Sequence, residues 1–366
     1  MRVTVSDISN ALEEFAPLNY QESYDNSGLL VGDRNQEVKA CLLSLDCTIE
    51  VVEEAIAKKC QMIVSHHPIV FSGLKSLTGK NHVEQAVIVA IKNDIALYAC
   101  HTNLDNVRNG VNDKIAEKLG LINARILLKK SDTLCKIITY LPELNLAEVQ
   151  AAIHQEGAGQ LGNYDFCSFR VNGVGTFRAL DGANPSLGEI GKIHEESEVK
   201  LEVLCPNKDV NKVLKSIIQA HPYEEVAYDI IAVQNQWEMG SGIIGELPEE
   251  MESNDFLEHL KKSMQCEVVK YVPISKSIKK VALCGGSGSF LVKKAMSSGA
   301  DAFITSDMKY HEFFSAEKSM MICDIGHYES EKYTTEIFAK VLSDKFPNFA
   351  TLFSETNRNP IKYYTN

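Results

Sequence analysis

The chain has 366 residues, of which 45% are hydrophobic and 23% are charged, enough for two or three domains with ordinary apolar cores. Its formal net charge of −12 and the lack of a run of basic residues argue against nucleic acid as a partner. No apolar run reaches the ~18 residues of a membrane span, and the first residues do not resemble a signal peptide, so the expected compartment is the cytoplasm.

Short apolar runs alternate with amphipathic stretches over residues 38–120, as in KACLLSLD followed by TIEVVEEAIAKK. This alternation predicts an α/β fold with a mostly parallel sheet covered on both faces. His66 and His67 stand at the carboxyl end of one apolar run, and Asp105 follows another. Because ligands of such sheets bind beyond the carboxyl ends of the strands, these three positions suit a site.

The segment from about Ser131 to Asn235 has a different pattern. It indicates a strand, a helix, two strand-like pieces around the turn Asn172-Gly173, a helix and a strand. The order βαββαβ is typical of a ferredoxin-like module, which can fold alone, so we predict an inserted α+β domain. The predicted parts are a first α/β half, the insert and a second α/β half, at residues 1–130, 131–236 and 237–366.

The strand and helix alternation returns after about Lys279, in KKVALCGG, ADAFITSD and MICDIGH. A long helix is predicted from about Glu329 to Asp344. His327 and Glu331 are four residues apart, so a helix that begins near His327 would place both side chains on one face. The second half therefore offers a second pair of candidate ligands.

The two halves can be laid over each other without a gap. A shift of 240 positions repeats the order strand, turn, helix, strand, Ser/Thr in phase, with Cys41 on Val281, Ala55 on Ala295, Ile63 on Phe303 and Ser65 on Thr305. The same shift puts His67 on Asp307. We interpret this as an internal duplication with two similar α/β units facing each other. Chance similarity between two ordinary βαβ units is the alternative.

These observations combine into a predicted metal site. A single histidine at a strand end is more often structural, but here five histidine and carboxylate groups fall on strand ends or adjacent turns. Imidazole and carboxylate ligands suit Zn²⁺, Mn²⁺, Fe²⁺, Co²⁺ or Mg²⁺. Successive side chains point in different directions, so His66 and His67 are expected to bind different ions, which predicts a centre of two divalent cations.

Several neighbouring residues have open roles. His101 lies four residues before Asp105 and is either a structural histidine, a hydrogen-bond donor that supports a metal ligand, or a proton carrier for a metal-bound water. Asp307 is a candidate for lining the same cavity. His311 and Glu312 either contact a substrate or lie on a solvated surface. The turn CGGSGSF is either a phosphate-binding turn or a tight structural turn, since it lacks the Lys-Ser/Thr of a P-loop.

Six strings follow one another along essentially the whole chain: YDNSGLLVGD, SHHP, HTNLD, GSG, TSDMKYHE and GHYESE. In this order they resemble the Nif-three-like dinuclear-metal proteins, also called GTP cyclohydrolase 1 type 2 homologues. The resemblance implies a two-metal site with ligands at His66, His67, Asp105, His327 and Glu331. It also implies a homohexameric toroid with metal sites facing the interior, and an insert similar to PII-like or CutA-like trimeric modules. In one departure from the pattern, Ile243 stands where a basic residue is expected.

The resemblance further implies a function. The family name points to a metal-dependent hydrolase that opens the purine ring of GTP with a water bridging the two metal ions. Two alternatives stay open: a non-catalytic, metal-dependent scaffold or regulator whose ions brace the two halves, and a two-metal phosphoesterase that acts on nucleotides.

Overall fold

The structure is a computed structural model that describes residues 2–131, 133–316, 319–356 and 358–364. It divides into two compact units. One combines the residues up to Lys129 with those from Glu238 onward, and the other is Lys130–Trp237. Both contain helices and sheets, so the expected α/β class is confirmed. Among the described residues, no helix is long and apolar enough to cross a membrane.

The strands are numbered in chain order. They are β1 Gly28–Val31, β2 Ala40–Ser44, β3 Met62–Ser65, β4 Ala96–Ala99, β5 Ile122–Lys129, β6 Leu134–Pro142, β7 Phe169–Arg178, β8 Ile193–Pro206, β9 Tyr228–Ala232, β10 Gly240–Met251, β11 Lys270–Val272, β12 Ile278–Ser287, β13 Ala302–Ser306, β14 Met321–Asp324 and β15 Ala350–Phe353.

The α-helices are numbered in the same way. They are α1 Val5–Phe15, α2 Ile49–Ala57, α3 His82–Lys92, α4 Thr102–Asp105, α5 Val111–Lys118, α6 Leu146–Gln155, α7 Val210–Ala220, α8 Ser253–Met264, α9 Val292–Ser297, α10 His327–Glu331 and α11 Thr334–Lys345. Side-chain caps fix several starts: the side chains of Thr4, Thr48 and Asn81 accept from the first turns of α1, α2 and α3.

The larger unit has two sheets, and each borrows a strand from the other half of the chain. The first has the order β1-β4-β3-β2-β15, with β4, β3, β2 and β15 parallel and β1 antiparallel. The second has the order β11-β14-β13-β12-β10-β5, in which β14, β13 and β12 are parallel. Thus β5, from the first half, closes the second sheet, and β15, near the end of the chain, closes the first.

The strand registers repeat between the two sheets. Cys41 pairs with Met62 across β2 and β3, and Val281 pairs with Ala302 across β12 and β13. Both members of the second pair lie 240 positions after those of the first, which is the shift found in the sequence. The equivalent strands β2, β3 and β4 and β12, β13 and β14 are adjacent and parallel, so their carboxyl ends lie at one edge of each sheet.

The second half departs from the sequence prediction at one helix. The long helix expected over residues 329–344 is two helices, α10 and α11, separated by Lys332 and Tyr333. The short helix α10 ends where the chain changes direction, so His327 and Glu331 occupy a single isolated turn and a half. This places the pair at the strand end rather than along the surface of a long helix.

The unit Lys130–Trp237 holds a four-stranded antiparallel sheet of order β7-β8-β6-β9, with α6 and α7 between the strands in the chain. Its core contains Val149 and Ile153 of α6 and Val213 and Ile217 of α7. The expected turn at Asn172-Gly173 was wrong. Both residues lie inside β7, because this strand pairs with β8 without interruption from Phe169 to Arg178. The reversal between β7 and β8 comes after the strand, over residues 179–192.

Candidate metal centre

The candidate ligands of the first half lie beyond the carboxyl ends of β3 and β4. His66 and His67 follow β3 directly, and their backbone N–H groups donate to the carbonyl of Leu45 at 3.1 and 2.9 Å. Asp105 is the last residue of α4, a short helix that begins after His101. Backbone hydrogen bonds after β3 and the short helix after β4 therefore hold both segments in place independently of side-chain contacts.

The ligands of the second half lie on α10. This helix follows β14 closely, and its N-cap is Gly326, which has φ +92° and so adopts a backbone conformation suited to glycine. His327 begins the helix and Glu331 ends it, and the helical spacing brings His327 Nε2 to 2.9 Å from Glu331 Oε2.

The five residues predicted as ligands come together in this structure. Nε2 of His67 lies 2.9 Å from Glu331 Oε2 and 3.2 Å from Nε2 of His327. Nε2 of His66 lies 3.7 Å from Glu331 Oε2 and 3.8 Å from Asp105 Oδ1. Two groups each have ligand atoms within 4.8 Å of one another: His67, His327 and Glu331, and His66, Asp105 and Glu331. Glu331 belongs to both.

The imidazoles are oriented by their other nitrogen. Nδ1 of His66 lies 2.9 Å from the carbonyl oxygen of Cys100, and Nδ1 of His67 lies 2.7 Å from Asp46 Oδ1. Nδ1 of His327 lies 2.6 Å from Asp307 Oδ2. Carbonyl and carboxylate oxygens only accept, so each Nδ1–H donates and each Nε2 is directed at the cluster. This arrangement of a histidine ligand with an oxygen acceptor behind it is typical of metal sites.

A glycine makes room for Glu331. A Cβ atom on Gly286 would lie 2.3 Å from Glu331 Oε1, and this residue has φ +60°. The glycine-rich turn CGGSGSF also has its backbone donors engaged: the N–H groups of Gly285, Gly286 and Gly288 donate to Asn112, Ser330 and Thr305. These observations favour the structural alternative for this turn over a phosphate cradle.

Charge in the cluster is unevenly shared. Burial raises the pKa of Asp105, and the neighbouring Glu331 carboxylate adds to that rise. Burial would also raise the pKa of Glu331, but the imidazoles of His66, His327 and His67 hold it well below its ordinary value. For His67, the bonds to Asp46 and Glu331 outweigh burial and raise the pKa to about 9. Asp307 and Glu331 similarly raise the pKa of His327 to about 11. The carboxylates of the cluster thus stabilise positive charge at this site.

The residues fit divalent cations. Nε2 of the fully buried His66 and Oδ1 of Asp105 have no hydrogen-bond partner among the described residues. Buried polar atoms are normally paired, so two unpaired atoms that face each other call for a bound group. Imidazole nitrogens and carboxylate oxygens are the ligand set of Zn²⁺, Mn²⁺, Fe²⁺ or Co²⁺, and a cation among them would satisfy both orphaned atoms.

The structure also places the residues whose roles were open. Asp307 contacts His327, with φ +56° at its backbone. His101 belongs to a group with His66 and His67 whose ligand atoms lie within 4.8 Å of one another. His311 is exposed beside Tyr310 and Phe314. Ile243 is buried in β10, opposite Leu283 of β12.

Some functional candidates were missed from the sequence. Asp46 and Asp25, which hold His67 and His101, were not recognised as partners because each lies far from its histidine along the chain. Tyr24 and Phe71, two exposed aromatic residues near His101, were missed for the same reason. For His101 the sequence does offer a signal of a role in the site, because His101 and Asp105 have the same spacing as His327 and Glu331.

Comparison with known proteins gives a consistent family. A family model described as Duf34/NIF3 (NGG1p interacting factor 3) matches residues 3–360. A Bacillus subtilis protein named GTP cyclohydrolase 1 type 2 homolog is 36% identical over 368 residues, covering 99% of each chain. A Staphylococcus aureus protein of the same name is 36% identical over 365 residues, covering 98% of this chain and 99% of that one. The crystal structure of a Bacillus cereus protein related to NIF3 superposes with a TM-score of 0.87 at 34% identity, covering all of both chains.

Proposed function

Because the chain belongs to the Duf34/NIF3 family, we propose that it is a hydrolase dependent on two divalent metal ions, acting on the purine ring of a nucleotide such as GTP. The observation that carries the proposal is the cluster itself, in which two overlapping groups of ligand atoms share Glu331 and two buried atoms lack partners. The printed name of the relatives supports GTP as the first substrate to test.

The chain's own residues account for how the ions would be held. His67 and His327 each lie 2.9 Å from Glu331 Oε2, and His66 lies 3.7 Å from the same oxygen. Glu331 therefore belongs to both groups of ligand atoms and is suited to serve two ions at once. His66 and Asp105 would complete one position, and His67 and His327 the other. When bound, two cations acidify a water molecule and stabilise the negative charge that develops on a substrate oxygen.

A planar substrate is supported by two aromatic side chains beside the cluster. The ring centroids of Tyr24 and Phe71 lie 6.4 Å apart, and that of Phe71 lies 6.2 Å from His101. Tyr24 is 65% exposed and Phe71 47% exposed. Their loops are tied together, because Asn26 Nδ2 donates to the carbonyl of Val70 at 2.6 Å. Rigid, exposed rings next to a reactive centre are suited to stack against a base.

The central test is turnover. Purified protein loaded with Zn²⁺, Mn²⁺, Fe²⁺ or Co²⁺ and incubated with GTP is expected to release formate, as hydrolytic ring opening requires. The Glu331→Gln variant should bind metal weakly and release none, whereas Glu117→Gln, which changes an exposed glutamate of α5, should behave as wild type. Absence of product at enzyme concentrations near that of the substrate would contradict the proposal.

The same experiment separates the alternatives. Release of phosphate instead of formate would favour a two-metal phosphoesterase. The scaffold alternative would be favoured by a protein that binds two ions but releases neither formate nor phosphate. Its larger unit should then become less stable in Glu331→Gln.

The ring contact is tested separately. Removing a stacking ring costs about 1–3 kcal/mol, which corresponds to about 5- to 150-fold in affinity. Phe71→Leu should therefore raise the KM for GTP by about that factor, and Phe71→Trp should retain wild-type KM. Phe353→Leu is the control, since Phe353 is also exposed but lies on β15, at the edge of the first sheet opposite β1. An unchanged KM in Phe71→Leu would remove the aromatic contact from the proposal.

A further inference from the structure

We propose that His101 is a sixth ligand of the metal centre, binding one of the two ions through Nε2, and that Asp25 is the residue that positions it. The inference rests on the two-metal centre of the proposed function and adds to it a residue that neither the five-ligand set nor the family resemblance assigns to a metal ion. It follows from the internal repeat, from the geometry of the ring and from the surroundings of Asp25.

The internal repeat gives His101 a counterpart that is already among the proposed ligands. His101 and Asp105 are four residues apart, as are His327 and Glu331. The first pair follows β4 and brackets the short helix α4, and the second follows β14 and brackets the short helix α10. The two strands occupy equivalent places, since β4 is parallel to β3 as β14 is to β13. His101 therefore stands where the second half has His327.

The geometry of His101 is that of a cluster member. Its ring centroid lies 5.2 Å from that of His66 and 5.5 Å from that of His67. The ligand atoms of these three histidines lie within 4.8 Å of one another. The side chain of His101 is 17% exposed, and its Nε2 makes no hydrogen bond to any residue that the structure describes, so this nitrogen is available to a cation.

Asp25 fixes which nitrogen faces the cluster. Its side chain is fully buried, and its Oδ1 lies 2.7 Å from Nδ1 of His101. The carboxylate also accepts from the backbone N–H groups of Asn26 and Thr102 and from the hydroxyl groups of Ser27 and Thr102. A carboxylate held by so many donors is locked in place and can only accept from His101. Nδ1 thus carries the proton, and Nε2 offers its lone pair to a cation.

The same device occurs at the other carboxylate-backed histidines. Asp46 holds Nδ1 of His67 at 2.7 Å, and Asp307 holds Nδ1 of His327 at 2.6 Å. Carboxylates behind metal-binding imidazoles orient the ring and raise its basicity. Since Asp25 treats His101 as these residues treat two proposed ligands, the common role is metal binding.

The first experiment measures metal binding, not activity. Wild-type protein and the His101→Ala variant are titrated with Co²⁺ in competition with a chromophoric chelator, and the visible absorption of bound Co²⁺ is recorded. We expect two ions per wild-type subunit. In His101→Ala, one of the two ions should bind at least ten-fold more weakly, with a changed Co²⁺ spectrum. His82→Ala is the matched control, because His82 is an exposed histidine at the start of α3.

Asp25 is tested through its coupling to His101. Asp25→Asn should weaken the same ion by about 10- to 100-fold, the usual effect of removing such a partner. In the double variant with His101→Ala, the loss should not exceed that of His101→Ala alone, because Asp25 acts through the ring. Additive losses would show that Asp25 serves the site in another way and would overturn its positioning role.

A measurement on the unaltered protein covers the case in which a variant fails to fold. The ¹⁵N resonance of His101 Nε2 should change from that of a free lone pair to that of a metal-bound nitrogen when Zn²⁺ is added. An unchanged resonance, or a His101→Ala variant with wild-type affinities and spectrum, overturns the sixth-ligand assignment. Failure of the proposed function differs: wild type that binds no ion defeats both proposals, and wild type that binds two ions but releases no formate defeats only the hydrolase.

Discussion

At the scale of single residues, the proposed metal centre depends on imidazoles that are oriented by an acceptor at Nδ1. The acceptors come from different parts of the chain: the Cys100 carbonyl for His66, Asp46 for His67 and Asp307 for His327. Ordering a side chain costs conformational entropy, so rings already fixed before a cation arrives lose less on binding it. The partners behind the ligands should therefore matter almost as much as the ligands.

Asp307→Asn tests this dependence. Asparagine retains the size of the side chain and tolerates the left-handed backbone at this position, where φ is +56°. It loses the charge that holds Nδ1 of His327, so we expect metal affinity to fall about 10- to 100-fold with the fold retained. Chelator competition measures the affinity, and Asp344→Asn, an exposed aspartate on α11, is the control. Equal affinities in the two variants would contradict the expectation.

How far the sequence predicts this site follows from where the information lies. His66 and His67 stand out because they follow an apolar run, and His327 and Glu331 because of their helical spacing. Asp25 and Asp46 carry no such signal, since their histidine partners are 76 and 21 positions away. The role of His101 needed the spatial equivalence of β4 and β14, which the gapless shift of 240 positions does not include.

At the scale of elements, the glycines at the carboxyl end of β12 make room for the side chain of Glu331. Gly286→Ala should place a Cβ atom against Glu331 Oε1. It should also destabilise the folded state by about 1–2 kcal/mol, the cost of a non-glycine residue at positive φ. We expect weaker metal binding together with a lower melting temperature, measured by chelator competition and calorimetry. Gly73→Ala is the control, because a Cβ atom there would meet no atom within 4 Å. Wild-type metal affinity in Gly286→Ala would show that Glu331 can shift without loss.

Glu54 of α2 anchors the segment that follows β15. Its carboxylate accepts from the side chains of Ser354 and Lys58, and from the backbone N–H groups of Glu355 and Thr356. Glu54→Gln loses the charge in these bonds and should lower the free energy of unfolding by about 1–3 kcal/mol. Urea unfolding measures it, with the exposed Glu117→Gln as control.

The same residue predicts a pH dependence. Burial would raise the pKa of Glu54, but the backbone bond from Glu355 and the bonds from Lys58, Ser354 and Thr356 outweigh it and lower the pKa from its ordinary 4.5. The folded state therefore binds this proton less readily than the unfolded state. The stabilisation is complete well above pH 4.5 and is lost as the pH falls below it. The difference between wild type and Glu54→Gln should accordingly shrink on acidification. A difference that stays constant from pH 7 to pH 3 would refute this.

The elements were more predictable than their ends. Alternation of apolar runs and amphipathic stretches predicts the α/β class, and the structure confirms it. The class is predictable because strands that are buried on both faces of a parallel sheet appear in the sequence as continuous apolar runs. The prediction of a turn at Asn172-Gly173 was wrong because the long-range pairing of β7 with β8 outweighs the local turn preference of these two residues. The break between α10 and α11 could not be predicted, because neither glycine nor proline occurs where the two helices separate.

At the scale of the whole molecule, both halves contribute ligands, so bound cations should hold the larger unit together. Adding Zn²⁺ should raise its stability, by about 2.7 kcal/mol at a hundred times the Kd, and a chelator should remove the gain. Hydrogen exchange should show slower exchange in α4 and α10 with metal, and unchanged exchange in β6, β7, β8 and β9. Equal effects in both groups would contradict a metal centre in the larger unit.

Assembly is a separate proposal at this scale. The second unit exposes neighbouring large apolar side chains on β7, where Phe169 is 64% and Val171 is 47% accessible. Such patches usually mark contacts between proteins. We expect light scattering to give a mass of about six times 40.6 kDa, for a closed hexamer, and Phe169→Glu to give a smaller species. Leu144→Glu is the control at an isolated exposed leucine. A monomeric wild type would contradict the expectation.

The exchange of edge strands between the two sheets has a consequence for biosynthesis. The first sheet needs β15, which follows β2 by more than 300 residues, so the hydrogen-bonding edge of β2 stays open while those residues are translated. Such long-range pairing slows folding, and the nascent chain must avoid aggregation through that open edge until β15 is synthesised. A chain that stopped after Phe346 would carry every proposed metal ligand and would still lack β15 of the first sheet.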